Sequence, residues 1–395
     1  LARGYEVCVL DALAEGYENE IYDEPFIIYG LPIDVLLQRV EASAPDVVGI
    51  SLLFSSRAKE AFEIALAIKG KLPNVKIVMG GQHPSAMPRE SLGMAGVDFV
   101  LCGEADHTMP DLLDALNGSV DITTVNGLYY YDQNGDIISN DDGKRAIVSG
   151  GSYNYYSRKD AAIPLDLNGL PRPAWHLINM EAYWTSAVRI GGGDMMREKF
   201  AVMMSTRGCP HTCYFCTSPL LSGYKAYRRR DNDNVVDEIR WLYDDYGIRE
   251  VQFLDDNFFV SVPRVKALCK RLAEEFPDMV FGVPAGAEVN ALDDELIELL
   301  AKANFHKIVL AIEAADQEIQ NEKIDKCVQI HRVPEVIRKI RDNGMTVLGL
   351  LMIGFPGETA EQIKKTIDLA LSLDFDDFFL SIVTPLPGTP LYDEC

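Results

Sequence analysis

Three cysteines, Cys209, Cys213 and Cys216, fall within eight residues of one another in the stretch RGCPHTCYFCTSP. Their C-x3-C-x2-C spacing lets thiolates on a single loop reach three corners of one metal site. A three-thiolate set suits a 4Fe–4S cluster whose fourth iron stays open to an outside ligand. Structural zinc takes four ligands. No fourth Cys is near, so a zinc loop would need His211, inside the motif. The eight Cys stand at 8, 102, 209, 213, 216, 269, 327 and 395. Evenly spread, they would read as buried small hydrophobes, but clustering points to a metal. Cys269 and Cys327 read as structural or exposed.

Other polar groups fall where strands should end. FLDDNF carries Asp255, Asp256 and Asn257, IVLAIEAADQEI carries Glu313, and GLLMIGFPGET carries Gly354 and Gly357. The elements that must position them repeat as βα units from residue 199 on. Strands are predicted at 200–205, 250–254, 280–284, 307–312, 346–353 and 377–382, with helices between them, for instance at 235–246, 262–276 and 360–372. Six units match the ~30 residues a βαβ repeat needs. An eight-fold barrel needs ~250 residues, so a six-stranded partial (β/α)6 TIM-like barrel is expected, with its chemistry at the carboxyl ends of the strands.

The N-terminal part alternates in the same way. Strands are predicted at 6–10, 47–51, 76–79 and 98–102, and helices near 31–41, 57–71, 89–95 and 108–116. Near-continuous apolar strands between helices mean a doubly wound, Rossmann- or flavodoxin-like parallel sheet covered on both faces. Residues 125–139 read as a hairpin around Asn134-Gly135. The stretch 140–197, rich in Tyr, Asp, Gly and Pro, reads as a structured linker. The expected divisions are 1–120 for the α/β domain, 121–197 for hairpin and linker, and 198–395 for the barrel.

The cysteine motif, with aromatic Phe215 before the last Cys, resembles the cluster motif of the radical S-adenosylmethionine enzymes. The resemblance implies that Cys209, Cys213 and Cys216 hold a 4Fe–4S cluster. It further implies that Phe215, Asp255, Asp256, Glu313 and Gly354 contact S-adenosylmethionine. The carboxylates at 255–256 would face its amino group, although a helix N-cap is the alternative there. Glu313 would reach the ribose hydroxyls, on a strand resembling the family's GIES strand with Ala311 and Ala314 replacing Gly and Ser. Residues 349–359 resemble the segment that packs on adenine, and PLPGTPLYD at 385–393 resembles the loop closing the sixth strand.

Upstream, Ser51-x-Leu53 followed by Gly80-Gly81 resembles the signatures of cobalamin-binding domains, and GEADHT, with Gly103 and Glu104, resembles their next turn. Small residues after parallel strands leave a slot for the corrinoid's nucleotide tail at the carboxyl edge, where such folds bind ligands. A generic flavodoxin-like phosphate site would use the same residues. The chain contains no Asp-x-His-x-x-Gly to supply a cobalt ligand, and His83 beside the slot reads as a turn or core histidine.

Taken together, the chain is identified as a member of the cobalamin-dependent radical S-adenosylmethionine enzymes. That implies a 5′-deoxyadenosyl radical and methyl transfer through methylcobalamin to an unactivated carbon or phosphorus of a small molecule. It also implies an electron donor such as flavodoxin or ferredoxin. A cyclase or ring rearrangement without methyl transfer, and a non-enzymatic corrinoid-binding sensor, are the alternatives. A tRNA methylthiotransferase is set aside, because its second cluster would have only Cys8 and Cys102 available in the N-terminal half.

The formal charge is 37 − 60 = −23 over 395 residues, which argues against nucleic acid or an anionic membrane as partner. Apolar runs are about half the length of a bilayer span and no signal peptide opens the chain, so it reads as soluble and cytoplasmic. Both ends read as cut within a longer protein. Tyr227-Arg228-Arg229-Arg230 is a basic run that could meet a substrate phosphate or carboxylate, with pairing to the acidic helix that follows as the favoured role. Residues 231–234 read as that helix's cap.

Overall fold

The computed structural model describes residues 3–395 except 24–25, 141–144, 151–152, 159–162, 165, 186–194, 223–226, 325 and 327. Much of the expected linker, and Cys327, therefore lie outside the described residues. The chain forms two compact units. One comprises Leu1–Ile147, Tyr156–Pro164 and Leu170–Arg189, and the other Val148–Tyr155, Leu165–Gly169 and Ile190–Cys395.

In the first unit β1 (Val47–Ser51), β2 (Lys76–Gly80) and β3 (Phe99–Leu101) are parallel neighbours. β4 (Leu128–Tyr131) and β5 (Ile137–Ser139) add an antiparallel hairpin beside β3. Its turn has Gly135 at φ 83° and Asp132 Oδ1 accepting from the amides of Asn134 and Asp136. Burial alternates with the strand period. Ile77, Met79 and Val100 join one apolar cluster with Ala65 and Ile68 of α2 (Ala58–Lys71) and Leu36 of α1 (Ile33–Ser43). Val78, Phe99 and Leu101 join another with Leu112 of α3 (Thr108–Leu116). Both faces of the sheet are thus covered.

The expected strand at 6–10 does not form. Residues 5–10 take no strand, and with Val7 and Val9 exposed only Leu10 packs against the apolar cluster, too little buried face to hold the stretch on the sheet. Tyr5 instead fixes it to α3, donating to Asp114 Oδ1 at 2.6 Å.

The second unit carries all six expected strands. β6 (Phe200–Met203), β7 (Glu250–Phe253) and β8 (Val280–Gly282) form one parallel sheet. β9 (Lys307–Glu313), β10 (Thr346–Ile353) and β11 (Asp377–Ile382) form another. Among the described residues two isolated parallel bridges, Phe281↔Phe305 and Ala287↔Leu310, link the β8 and β9 regions. The sequence suggested a β8 running to 284, but Pro284 has no N–H to give a ladder, and the strand stops at Gly282.

Helices α4 (Asn232–Tyr246), α5 (Val262–Glu275), α6 (Asp294–Lys302), α7 (Val333–Asp342) and α8 (Ala360–Ser372) fill the gaps. α8 opens with a capping box between Thr359 and Gln362. Phe253, Phe258, Phe281 and Phe305 stack against one another in the core, with ring centroids 4.9 to 6.5 Å apart. Among the described residues no helix is long and apolar enough to cross a membrane.

Candidate functional site

The cysteine loop leaves β6 two residues earlier than the sequence suggested, because Ser205 turns inward. Its amide and hydroxyl donate to Asp255 Oδ1 and Oδ2, each at 2.6 Å. Asp255 is fully buried. Burial raises its carboxyl and the Ser205 bonds oppose that rise. Both Asp255 oxygens are thus engaged by Ser205. The structure places this carboxylate as a tether between the end of β7 and the loop. Asp256 is also drawn to the loop, accepting from the Gly208 amide at 2.7 Å. Two adjacent carboxylates thus fix the backbone just ahead of Cys209.

Beyond that tether Cys213 and Cys216 share one turn, and Cys209 lies within electrostatic reach of both. The Cys216 amide donates to the Cys213 carbonyl at 3.0 Å, and the Ser218 amide donates to Cys216 Sγ at 3.4 Å. Asn257 Nδ2 points at Cys209 Sγ, 3.7 Å away. Burial raises all three thiols, Cys213 far above its ordinary range and Cys216 to about 11, and the cysteines act electrostatically on one another. Among the described residues no three such side chains are preset as a metal site. The donor set nevertheless fits an iron cluster. Buried thiols that resist ionisation need a strong cation to become thiolates, and a bound metal deprotonates them outright. His211, the residue a zinc loop would require, is turned to Glu288, with Nε2 to Oε1 at 2.6 Å.

Glu288 was not singled out from the sequence. It follows β8, accepts from both His211 and Asn257, and so links the cysteine loop to the ends of two strands. Burial alone would raise its carboxyl, but those bonds and nearby Lys326 hold it below the usual carboxylate range. Its position after a barrel strand was the available signal.

Glu313 ends β9 at a register irregularity, and its backbone is left-handed at φ 67°, which is uncommon for a residue with a Cβ. Gln320 stabilises this bend by donating to the carbonyls of Ile312 and Ala314, both at 2.6 Å. Lys326 Nζ meets Glu313 Oε1 at 2.7 Å, and both side chains are largely buried. Burial works against the lysine charge, but Glu313 and then Cys213 outweigh it, so the ammonium is held above the ordinary lysine range. No periodicity or motif marked Lys326 in the sequence.

An apolar wall completes this region. Phe215 lies against Phe355 with centroids 5.9 Å apart, in a cluster with Tyr214, Ala314 and Leu391. Tyr214, rather than Phe215, is the fully buried anchor of the loop. Gly354 stands at φ 89°, and its amide donates to Glu358 Oε2 at 2.6 Å, so it makes the turn that presents Phe355.

In the first unit, Ser51 and Gly80 are directly paired at the carboxyl edge of the sheet. Leu53 and Phe54 beyond them are exposed. Gly81 has φ 105°, and a Cβ there would lie 2.7 Å from the Leu52 carbonyl oxygen, so only glycine lets the two turns approach. The Gly103 amide donates to Ser85 Oγ at 2.9 Å, and Glu104 follows at the same edge. This edge of small residues with an apolar rim fits a large planar ring with a polar tail. His83 is buried against Phe62, with Nδ1 bonded to Ser55 Oγ at 2.9 Å, as a core histidine.

A parallel sheet with small residues at its carboxyl edge, and a partial barrel with three cysteines on the loop after its first strand, fit a two-unit cofactor enzyme. Residues 3–113 match the B12 binding domain family and residues 203–370 the radical SAM superfamily. The chain is 30% identical to the cytidylyl-2-hydroxyethylphosphonate methyltransferase of Streptomyces wedmorensis, across 99% of this chain and 75% of that one. It is 29% identical to an uncharacterized methyltransferase of Pyrococcus horikoshii, across 93% and 74%. In fold it is similar to the radical S-adenosylmethionine methyltransferase TsrM of Kitasatospora setae, with a TM-score of 0.71 at 21% identity, over 91% of this chain and 67% of that one.

The chain belongs to the cobalamin-dependent radical S-adenosylmethionine enzymes. The cofactors of that family are a 4Fe–4S cluster, S-adenosylmethionine and cobalamin.

Proposed function

We propose that this enzyme methylates an unactivated carbon or phosphorus of a small molecule, with Cys209, Cys213 and Cys216 as the cluster ligands. The single observation that carries the cluster assignment is the C-x3-C-x2-C loop, whose three thiols act electrostatically on one another and whose start is tethered through Ser205 to Asp255. When bound, the cluster supplies the electron that cleaves S-adenosylmethionine, and cobalamin carries the methyl group.

The protein's own residues bind, orient and exclude water. Glu313 offers a carboxylate for hydroxyl groups, and its bend fixes where that carboxylate points. Lys326 brings a buried cation beside Cys213 and Glu313, suited to an anionic group of a ligand held there. Phe215 and Phe355 offer apolar faces for a flat base, and Asp256 with the Gly208 turn holds the loop in register. Asp255 is assigned to the tether rather than to S-adenosylmethionine. In the first unit Ser51, Leu53, Gly80, Gly81, Gly103 and Glu104 form the cobalamin edge. An electron carrier of the flavodoxin or ferredoxin class would reduce the cluster.

The test is anaerobic turnover of the reconstituted full chain with S-adenosylmethionine, reductant and a panel of candidate small molecules. Methyl transfer yields 5′-deoxyadenosine and S-adenosylhomocysteine together with a methylated product. 5′-Deoxyadenosine with a cyclised or rearranged product, and no S-adenosylhomocysteine, would instead make it a rearranging enzyme.

A further inference from the structure

Five arginines gather behind the cysteine loop of a chain whose net charge is −23. Thr206–Arg207 pairs antiparallel with Arg228–Arg229, so Arg207 and Arg228 stand opposite each other. Arg230 and Arg264 complete the group. Arg230 is neutralised as the sequence suggested: its guanidinium pairs with Glu238 of α4 at 2.5 Å and bonds Asn234 and the Met204 carbonyl.

Arg264 is different. Only 7% exposed, it donates from Nε to the Arg230 carbonyl and from Nη2 to the Ser205 carbonyl, both at 3.3 Å, while its Nη1 has no partner. No carboxylate pairs with it among the described residues. Burial lowers its affinity for the proton, Tyr227 and Asp255 oppose that, and Arg229 and Arg230 lower it further. The buried hydroxyl of Tyr227, a neighbour of Arg264, also has no partner. Arg229 is exposed.

These groups surround a cavity of about 250 Å³ lined by Arg229, Arg230, Asp231, Asn232 and Arg264. The cavity sits at the start of α4, a 15-residue helix whose N-cap Asp231 makes no capping bond. The Asp231 carboxylate instead accepts from Asn168 Nδ2 at 3.0 Å. The first-turn amides of α4 are left for another acceptor, at the end of the helix that favours negative charge. Buried guanidinium nitrogens without partners are costly unless an acceptor reaches them. Arg264 Nη1 and the exposed guanidinium of Arg229, beside a helix N-terminus, offer donors and positive charge suited to the oxygens of a tetrahedral dianion.

We propose that this cavity is a binding site for the phosphoryl group of a small molecule, held by Arg229 and Arg264 over the N-terminus of α4. An anion there would also brace the Ser205 turn, whose carbonyl accepts from both Arg264 and the Arg230 amide. The site does not depend on iron, S-adenosylmethionine or cobalamin.

The test is calorimetric titration of the full chain with inorganic phosphate at low ionic strength, with acetate as a monoanion control. The expected result is one saturable phosphate site per chain, with acetate weaker. Arg229→Gln, on an exposed side chain that leaves the fold intact, should weaken phosphate binding about tenfold or more, the equivalent of about 1.4 kcal/mol. Arg264→Lys should weaken it as well, with circular dichroism confirming that the chain has folded. No saturable binding, or binding by Arg229→Gln equal to that of the parent, overturns the assignment. So does a result in which phosphate fails to bind while Arg229→Gln impairs docking of an acidic electron-carrier protein, since the patch would then be a protein-docking surface.

Discussion

Lys326 Nζ and Glu313 Oε1 lie 2.7 Å apart in a largely buried pair, on a glutamate whose backbone is left-handed at φ 67°. A strained backbone persists only where its surroundings over-determine it. Here Gln320 holds the carbonyls on either side of Glu313, and Lys326 holds the carboxylate.

Breaking that pair from one side should cost more than removing it whole. Glu313→Gln leaves a buried cation without its counter-charge, a loss of about 3–5 kcal/mol. The double variant Glu313→Gln/Lys326→Met should be less destabilised than the two single losses summed. Urea unfolding of the four proteins provides the cycle. Strict additivity would mean that the two side chains do not support each other.

Asp255→Ala separates a tether from a ligand contact. As a tether, its loss strands the buried Ser205 amide and hydroxyl, each worth about 1–3 kcal/mol, and iron uptake falls with stability. Unfolding midpoint and iron content are the measurements. A variant with parental stability and iron content but weakened binding of S-adenosylmethionine would restore Asp255 to the ligand.

Gly81→Ala should damage the first unit alone. Its Cβ would fall 2.7 Å from the Leu52 carbonyl oxygen at φ 105°, a strain of about 1–3 kcal/mol or more. Cobalamin retention, read by visible absorption, should drop while iron content after reconstitution stays at the parental level. Equal retention of cobalamin would show that the close approach of these turns is not needed for the corrinoid.

Asp316 links stability to pH. The bond from Lys365 foremost, helped by Gln362 and the amides of the following turn, holds its carboxyl below the usual range against the opposing effect of burial, the second-largest influence. A depressed carboxyl contributes stability above its unfolded value of about 3.9, and that contribution is lost as pH falls through the lower folded value. Asp316→Asn should therefore be less stable than the parent at neutral pH, with the gap closing below about pH 4. Unfolding at several pH values measures it, and a gap independent of pH would count against the linkage.

Much of this was legible in the sequence because period and spacing are local. The six barrel strands and the C-x3-C-x2-C loop follow from apolar alternation and residue type alone. The strand at 6–10 failed because a β-branched run says nothing about whether its face finds a partner. The bonds of Asp255 to Ser205 were not legible because sequence gives the end of a strand but not the direction of a carboxylate. Lys326 and Gln320 were invisible for a related reason. They act from the short helical turn after β9, a π-helical stretch at Gln320–Ile324 and the residues beyond it, too brief to show a period, and only the folded backbone brings them to Glu313.

The cluster assignment is tested most directly by anaerobic iron and sulfide reconstitution of the parent and of Cys213→Ala, with iron content and electron paramagnetic resonance read on the reduced proteins. The parent should take up iron and sulfide as a 4Fe–4S cluster whose reduced signal changes when S-adenosylmethionine is added, and Cys213→Ala should show neither. Undiminished iron content and an unchanged signal in Cys213→Ala would contradict the assignment.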